Sequence, residues 1–419
     1  MHHHPPEEFD LIIVGFGLVG SSFVLALQQQ GLKIAVIEKH VPEVATDAAV
    51  SFRPISLAYG SVAIFRTLGM WHGLQNKATP IKEVIVCEEG SLGAVHFTAA
   101  EIALEALGFV VPFADLYRHL YRGAVGQTGV EIIPIQKTTH IERVENQTHV
   151  FVETAQGARE LRAALVVGCD GAQSSVRHLL NIPTIEKQSA DAAVTGMLTL
   201  AEPYSPIALE RFTKEGVVAI LPLADPKQCG VVMTLPQAVI ESRQSWTETE
   251  WLVALAPHLA QRIPRILSFE KGGVFPLQTI IAKKQLLPGV ILLGNAAHTI
   301  YPLAAQGFNL GLRDAAALAE ILVQARQELQ PLGQEHLLQR YVAWREQDQK
   351  RTAQLTMVIA HLFKMQFPGA SLLRGLSLLS LDLLTPMKKR LARMTMGLSG
   401  SLPKLMRGLP LWEMTQHHD

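Results

Sequence analysis

Apolar positions open the chain in one dense block. Phe9 to Val14 reads FDLIIV, the pattern of a strand buried on both faces. A glycine-rich turn follows, and then Val24, Leu25 and Leu27 fall on one side of a helix. A second β-rich run, Ile34 to Ile37, ends in Glu38, which completes a βαβ unit. From Thr79 to Thr98 short alternating runs such as VIVCEEG and GAVHF predict antiparallel strands. Residues 110–125 read as helical and 130–135 and 148–154 as extended, and LRAALVVGCDGAQSSVR reads as a strand entering a turn. Strand-like alternation returns over 190–236, punctuated by Pro203, Pro206, Pro222 and Pro236. VILLGNAAH predicts another buried strand, and Leu310 to Leu329 a long helix. Nucleotide-type elements thus recur in three separated places with β-rich insertions between them, an order that interleaved domains produce.

Beyond Gln330 the pattern is mostly helical. In 369–384, Leu372, Leu376, Leu379 and Leu383 form one helical stripe, which Leu378 and Leu381 blur. After Asp382 no acid appears until Glu413, while Lys388, Lys389, Arg390, Arg393, Lys404 and Arg407 do. Two readings stand: an interface helix with a solvated basic extension, or a segment that settles on an anionic membrane surface.

Composition narrows the classes. The chain has 419 residues, enough for two or three structural units at roughly 150 residues each. Lys+Arg and Asp+Glu both total 37, so no bulk positive charge points to nucleic acid. Hydrophobic residues make up 48% and charged ones 18%, at the greasy end for a soluble protein. Cys87, Cys169 and Cys229 are too few and too far apart for a disulfide framework or a thiolate metal site, and they suit a reducing cytoplasm. No signal peptide or unbroken apolar run of about 18 residues is evident, and the histidines near the start resemble a tag remnant.

Gly15-Phe-Gly17-Leu18-Val-Gly20 is a complete GxGxxG between a strand and a helix. Gly15 permits the tight turn, Gly17 lets backbone approach a pyrophosphate, and Gly20 lets helix and strand pack closely. The helix N-terminus suits the negative charge, and Glu38 can take the hydroxyls of an adenosine ribose. On these residues alone NAD and FAD are both open, beside a plain glycine-rich turn. Two further segments carry small polar turns. One is Gly168-Cys-Asp170-Gly171 with Ser174 and Arg177; the other runs from Gly294-Asn295 through His298 and Gln306-Gly307-Phe308-Asn309 to Asp314. Asn295 can hydrogen-bond a ribityl or pyrophosphate oxygen, and the AAQGFN turn can set backbone N–H groups against a ligand.

Together and in this order, these segments with Arg53 resemble the aromatic-ring hydroxylase family of FAD-dependent monooxygenases, which includes para-hydroxybenzoate hydroxylase. LGFVVPFADLYRHL, RYVAWREQDQKRTAQLT and LLTPMKKRLARMTMG look like its ubiquinone-biosynthesis branch, and VIVCEEGSLGAVHFTAAE is similar to the 2-octaprenyl-6-methoxyphenol hydroxylase type. The resemblance implies an α/β fold: a Rossmann-like FAD-binding domain (7–75, 101–182 and 273–330) interleaved with a β-sheet substrate domain (76–100 and 183–272), then a helical C-terminal region (331–419). It implies FAD as cofactor, NADPH or NADH as co-substrate, and a polyprenylated phenol and O2 as substrates. O2 would add at the flavin C4a carbon and its distal oxygen would pass to the ring. Cofactor contacts fall to Gly15, Gly17, Leu18, Gly20, Glu38, Arg53, Asp170, Gly171, Asn295, Gln306, Gly307, Phe308 and Asn309. His298 is the candidate base for the phenol, with a structural hydrogen-bonder as the bland alternative. Arg53 is expected at the FAD pyrophosphate or the NADPH phosphates, against a surface salt bridge. Three departures stand out: Tyr301 where His is usual and Ala305 where Gly is usual, expected to reshape the substrate side and narrow the space beside the flavin, and Arg53 without the Asp that commonly precedes it by two. Alternatives are another phenol or a catalytically silent FAD scaffold. The tail leaves room for a peripheral place at the inner face of the membrane, a biosynthetic complex or a homo-oligomer.

Overall fold

The computed structural model describes residues 6–41, 52–259, 262–301, 303–365 and 367–412; the histidines at 2–4 and Pro302 lie outside them. In chain order the elements are β1 (Glu7–Val14), α1 (Leu18–Ala26), β2 (Ile34–Glu38), β3 (Pro54–Ala58), α2 (Tyr59–Thr67), β4 (Thr79–Ile81), β5 (Glu83–Glu88), β6 (Ala94–Thr98), β7 (Gly108–Pro112), α3 (Phe113–Val125), β8 (Val130–Pro134), β9 (Lys137–Val144), β10 (Gln147–Thr154), β11 (Gly157–Gly168) and α4 (Ser175–Leu179). They continue with β12 (Thr184–Leu200), β13 (Ile207–Phe212), β14 (Val217–Pro222), β15 (Gln228–Pro236), α5 (Gln237–Ser242), α6 (Glu248–Leu259), β16 (Ile266–Ala282), β17 (Leu286–Leu287), β18 (Val290–Leu292), β19 (His298–Thr299), α7 (Gln306–Gln327), α8 (Glu335–Lys364), α9 (Ala370–Leu383) and α10 (Thr385–Thr395).

The first sheet has the order β17-β18-β11-β1-β2-β8, with β10 pairing β11 and β9 pairing β10. Its centre is parallel: β1 lies between β11 and β2, Val14 opposite Gly168 on one side and Ile37 on the other. Such strands are covered on both faces, which is why FDLIIV does not alternate. One face packs on α1, α3 and α7 through Phe23, Leu25, Leu120, Leu318 and Leu322. The second sheet, β19-β16-β12-β15-β14-β13-β5-β6, is antiparallel except where β13 runs beside β5. Trp251 of α6 closes its outer core with Leu198, Val231 and Phe269. A small sheet, β3-β7-β4, is also present.

Two differences from expectation have simple causes. Val110 and Val111 belong to β7, because they pair with Ser56 and Ile55, so the helix begins only at Phe113. A division at 272/273 would cut β16, which runs alongside β12 until Ala282 meets Thr184.

Candidate functional site

The glycine turn follows from β1 ending where β2 and β11 flank it. Gly15 donates its N–H to Ile37 O at 2.9 Å and has φ +98°; a Cβ there would lie 2.7 Å from Cys169 O. A Cβ on Gly20 would lie 2.2 Å from Gly15 O. Gly17 differs: it starts α1, and nothing lies within 4 Å of its Cβ position. Gly15 and Gly20 therefore serve packing, and Gly17 leaves open space above a helix N-terminus. Glu38 accepts the N–H groups of Phe16 (2.5 Å) and His40 (2.9 Å), which fixes its carboxylate beside the turn.

Asp170 uses one oxygen to accept from Ser175 N (2.6 Å), Ser175 Oγ (2.8 Å) and Val176 N (3.2 Å), which caps α4; its Oδ1 is buried without a partner among the described residues. Gly171, at φ +79°, has no neighbour at its Cβ position. Arg177 joins the second and third motifs, donating to Ala172 O (2.5 Å) and Ala296 O (2.9 Å).

At the start of α7, no side-chain hydrogen bond caps the helix, so its first N–H groups remain for a ligand. Asn309 holds this end in place. Its Oδ1 accepts from Ala58 N (2.8 Å) and Ser61 Oγ (2.7 Å), and its Nδ2 donates to Ser56 O (2.9 Å) and Ala305 O (2.7 Å). Gln306 donates to Thr395 O at 2.9 Å, and Phe308 stacks on Phe65 with ring centroids 6.4 Å apart. Ala305 adopts φ +50°, a conformation that suits the glycine usual there.

A cavity of about 940 Å³ gathers these parts. Gly17, Leu18, Arg53, Gly171, Asn295 and the 305–309 turn line it; Gly15, Gly20, Glu38, Asp170 and His298 are not part of its lining. Arg53 points into the cavity, with its guanidinium 5.6 Å from the Phe113 ring centroid and 5.0 Å from that of Phe275. Desolvation lowers its pKa from the ordinary value, yet it has no carboxylate partner among the described residues. A cation so placed calls for an anionic ligand. Away from the glycines the cavity becomes apolar, running past Val84, Phe97, Leu209 and Phe275 to Leu378 and Leu381 of α9.

His298 is placed elsewhere than a base for a cavity ligand would be. It is buried, with Nε2 2.5 Å from Asp314 Oδ2. Asp314 also accepts from Arg345 Nε (2.7 Å) and Gln349 Nε2 (3.1 Å), and Asp348 accepts from Arg345 (2.5 Å) and Arg313 (2.8 Å). Burial pushes the Asp314 carboxyl up, but His298 and Arg345 outweigh it and hold the group well below the usual range. This network locks the GNAAH turn to α7 and α8. Its partners Arg345 and Asp348 lie in RYVAWREQDQK, where their i,i+3 spacing was a signal of pairing that sequence reasoning passed over. Tyr301 also turns from the cavity, its hydroxyl donating to Asp191 Oδ2 at 3.1 Å.

The residues fit FAD: two uncapped helix N-termini line one cavity, Gly17 and Gly171 leave room for close approach, and the buried Asp170 Oδ1 and the Arg53 cation want polar partners. A family model described as the FAD binding domain matches residues 8–356. Among curated relatives, the 3-demethoxyubiquinol 3-hydroxylase of Escherichia coli is 28% identical over 95% of this chain and 100% of its own length. The ubiquinone hydroxylase UbiL of Rhodospirillum rubrum is 29% identical over 96% of this chain and 93% of its own. Among solved structures, p-nitrophenol 4-monooxygenase PnpA from Pseudomonas putida shares the fold, with a TM-score of 0.75 at 17% identity, covering 94% of this chain and 99% of that one. The chain belongs to the FAD-binding-domain family and, within it, to the FAD-dependent monooxygenases.

Proposed function

We propose that the protein hydroxylates the aromatic ring of a polyprenylated phenol in ubiquinone biosynthesis, with FAD, NADPH or NADH, and O2. The observation that carries this reading is a single cavity that begins at the helix N-termini of α1 and α7 and continues as an apolar gallery. A phenol with a long hydrocarbon chain suits both ends. The names of the curated relatives favour the same substrate class.

FAD, when bound, supplies the oxygen-transfer chemistry and accepts reducing equivalents from the nicotinamide co-substrate. The chain's part is binding, orientation and exclusion of water. The Gly17 backbone and the first N–H groups of α1 receive the pyrophosphate, with Arg53 as counter-charge there or at the nicotinamide phosphates. Glu38 takes the ribose, Asn295 a polar oxygen of the cofactor, and the Gly307–Phe308 end of α7 offers its positive pole to negative charge on the flavin ring. Gly15, Gly20 and Asp170 act one layer back by shaping the turns, while Gln306 and Asn309, which line the cavity, anchor the start of α7. His298 is a positioning residue, since its ring is committed to Asp314. The second sheet forms the dry roof over the ring, so the substrate domain takes β5, β6 and β12 to β16. The apolar and basic tail gives the enzyme a peripheral place at a membrane.

The test is a mass-spectrometric profile of prenylated lipids in cells depleted of the protein and grown with oxygen. The expected result is loss of ubiquinone and build-up of a precursor lacking one ring hydroxyl. An unchanged quinone pool, with no paralogue present, would overturn the assignment and leave a monooxygenase of another phenol.

A further inference from the structure

Helix α9 presents apolar side chains in two opposite directions. At about 100° per residue, Arg374, Ser377, Leu378 and Leu381 share a face, and all four line the cavity. Leu372, Leu376, Leu379 and Leu383 share the opposite face and are 68%, 51%, 46% and 74% exposed. Between these faces the helix rests on the β5–β6 hairpin: a Cβ on Gly93 would lie 1.9 Å from Gly375 O, and Asp382 accepts the His96 N–H at 2.9 Å. α9 is therefore a wall one helix thick, with the cavity on one side and solvent on the other.

Exposed apolar side chains also occur on α8. Val358 and Leu362 line the cavity and are also 54% and 44% exposed, which puts its rim between α8 and α9; Phe367, in the connection between the two helices, is exposed as well. A contiguous apolar surface of this kind marks an interaction site, unlike scattered single leucines. On α10, Lys388 is tied to Glu101 (2.7 Å) and Asp382 (3.2 Å), whereas Lys389, Arg390 and Arg393 are exposed with no ion pair among the described residues. No acid occurs between Asp382 and Glu413.

We infer that the outer face of α9 and the exposed basic side of α10 dock on an anionic lipid bilayer, and that the apolar chain of the substrate enters the cavity between α8 and α9. No helix among the described residues is long and apolar enough to cross a membrane, so α9 lies in the interface plane with its leucines in the acyl boundary and the α10 cations at the headgroups. A bilayer matches all three features: leucines outside, exposed cations on the next helix, and an apolar rim leading inward. The entry route rests on the prenylated-phenol reading; the docking surface does not.

The test is flotation of the FAD-loaded full chain with vesicles of phosphatidylcholine alone and of phosphatidylcholine with a quarter phosphatidylglycerol. The wild type is expected to float with the anionic vesicles and to be released by salt. The triple variant Leu376→Ser, Leu379→Ser, Leu383→Ser is expected to lower the bound fraction about tenfold, and Lys389→Gln, Arg390→Gln, Arg393→Gln to abolish the anionic preference. Unchanged flavin absorbance and melting confirm that the variants fold. Hydroxylation of a vesicle-borne prenylated phenol should fall with the leucine variant, while that of the same phenol dispersed in detergent persists. A wild type that ignores both vesicles, variants that bind like it, or leucine changes that alter only self-association would overturn the docking surface. Equal loss with vesicle and detergent would overturn the entry route. Flotation without hydroxylation in either presentation would instead overturn the phenol assignment and leave docking standing.

Discussion

Two helices wall the same cavity and are built in opposite ways. α7 is buried along most of its length, and its cavity end is held by Asn309, through four hydrogen bonds, and by the Asp314–Arg345 pair. α9 buries only Ala370 and Gly375 and is held at its edges, by Arg374 to Glu88 (2.5 Å) and by Asp382 to the hairpin. A site that fixes a cofactor within fractions of an ångström needs the first kind of wall. A site that admits a long apolar chain needs a wall whose local opening costs little, and a helix with few buried contacts provides it.

The contrast breaks most directly at Asp314. Asp314→Asn removes one of the two carboxylates that compensate the buried Arg345, leaving Asp348 alone, and the expected loss is about 3 kcal/mol, read by chemical denaturation, with release of bound flavin. The sign with pH follows from the depressed carboxyl. Its contribution is fully present above the unfolded value of about 3.9 and is lost as pH falls through the lower folded value. Acid unfolding of the wild type should therefore be steeper below about pH 4 than that of the variant. A variant as stable as the wild type would erase the distinction between the helices.

Asn309→Ala orphans the Ala58 N–H and the Ser61 hydroxyl, which the Asn309 carbonyl accepts. About 2–3 kcal/mol should go, with weaker FAD retention on gel filtration. Ala305→Gly works the other way, since it relieves the left-handed backbone at φ +50°; a gain of about 1 kcal/mol, seen as a higher melting temperature, is expected. Least of all, Leu379→Ser on the outer face of α9 should shift stability by no more than about 0.5 kcal/mol. A loss of 2 kcal/mol or more (about the size of a core truncation) would mean that α9 is core and would collapse the comparison from the other side.

Much of the fold around the glycine turn was legible because its pattern is local. FDLIIV, the glycine turn and Glu38 follow one another within one βαβ unit, and Gly15 and Gly20 are crowded by backbone as tight turn and close packing require. The Asp314–Arg345 pair was not legible in this way, because it joins residues 31 apart on separate helices. Strand β9, KTTHIERV, escaped notice because it is held by its pairing with β10 and carries few apolar residues. The α9 stripe teaches most. Leu378 and Leu381 blurred a single-faced pattern because the helix has two apolar faces, and a periodicity argument that assumes one buried side has no place for the second.

The close seat of Gly375 against Gly93 has an implication for anyone reshaping this chain. Helix backbone and hairpin backbone touch with no side chain between them, so the last part of the sequence and the β5–β6 hairpin are one mechanical piece. Cutting the chain before α9 would not trim an appendage; it would take down a side of the chamber and leave the hairpin's glycine facing nothing. Grafting the C-terminal helices of a relative to reshape the cavity would need that relative's hairpin transplanted with them.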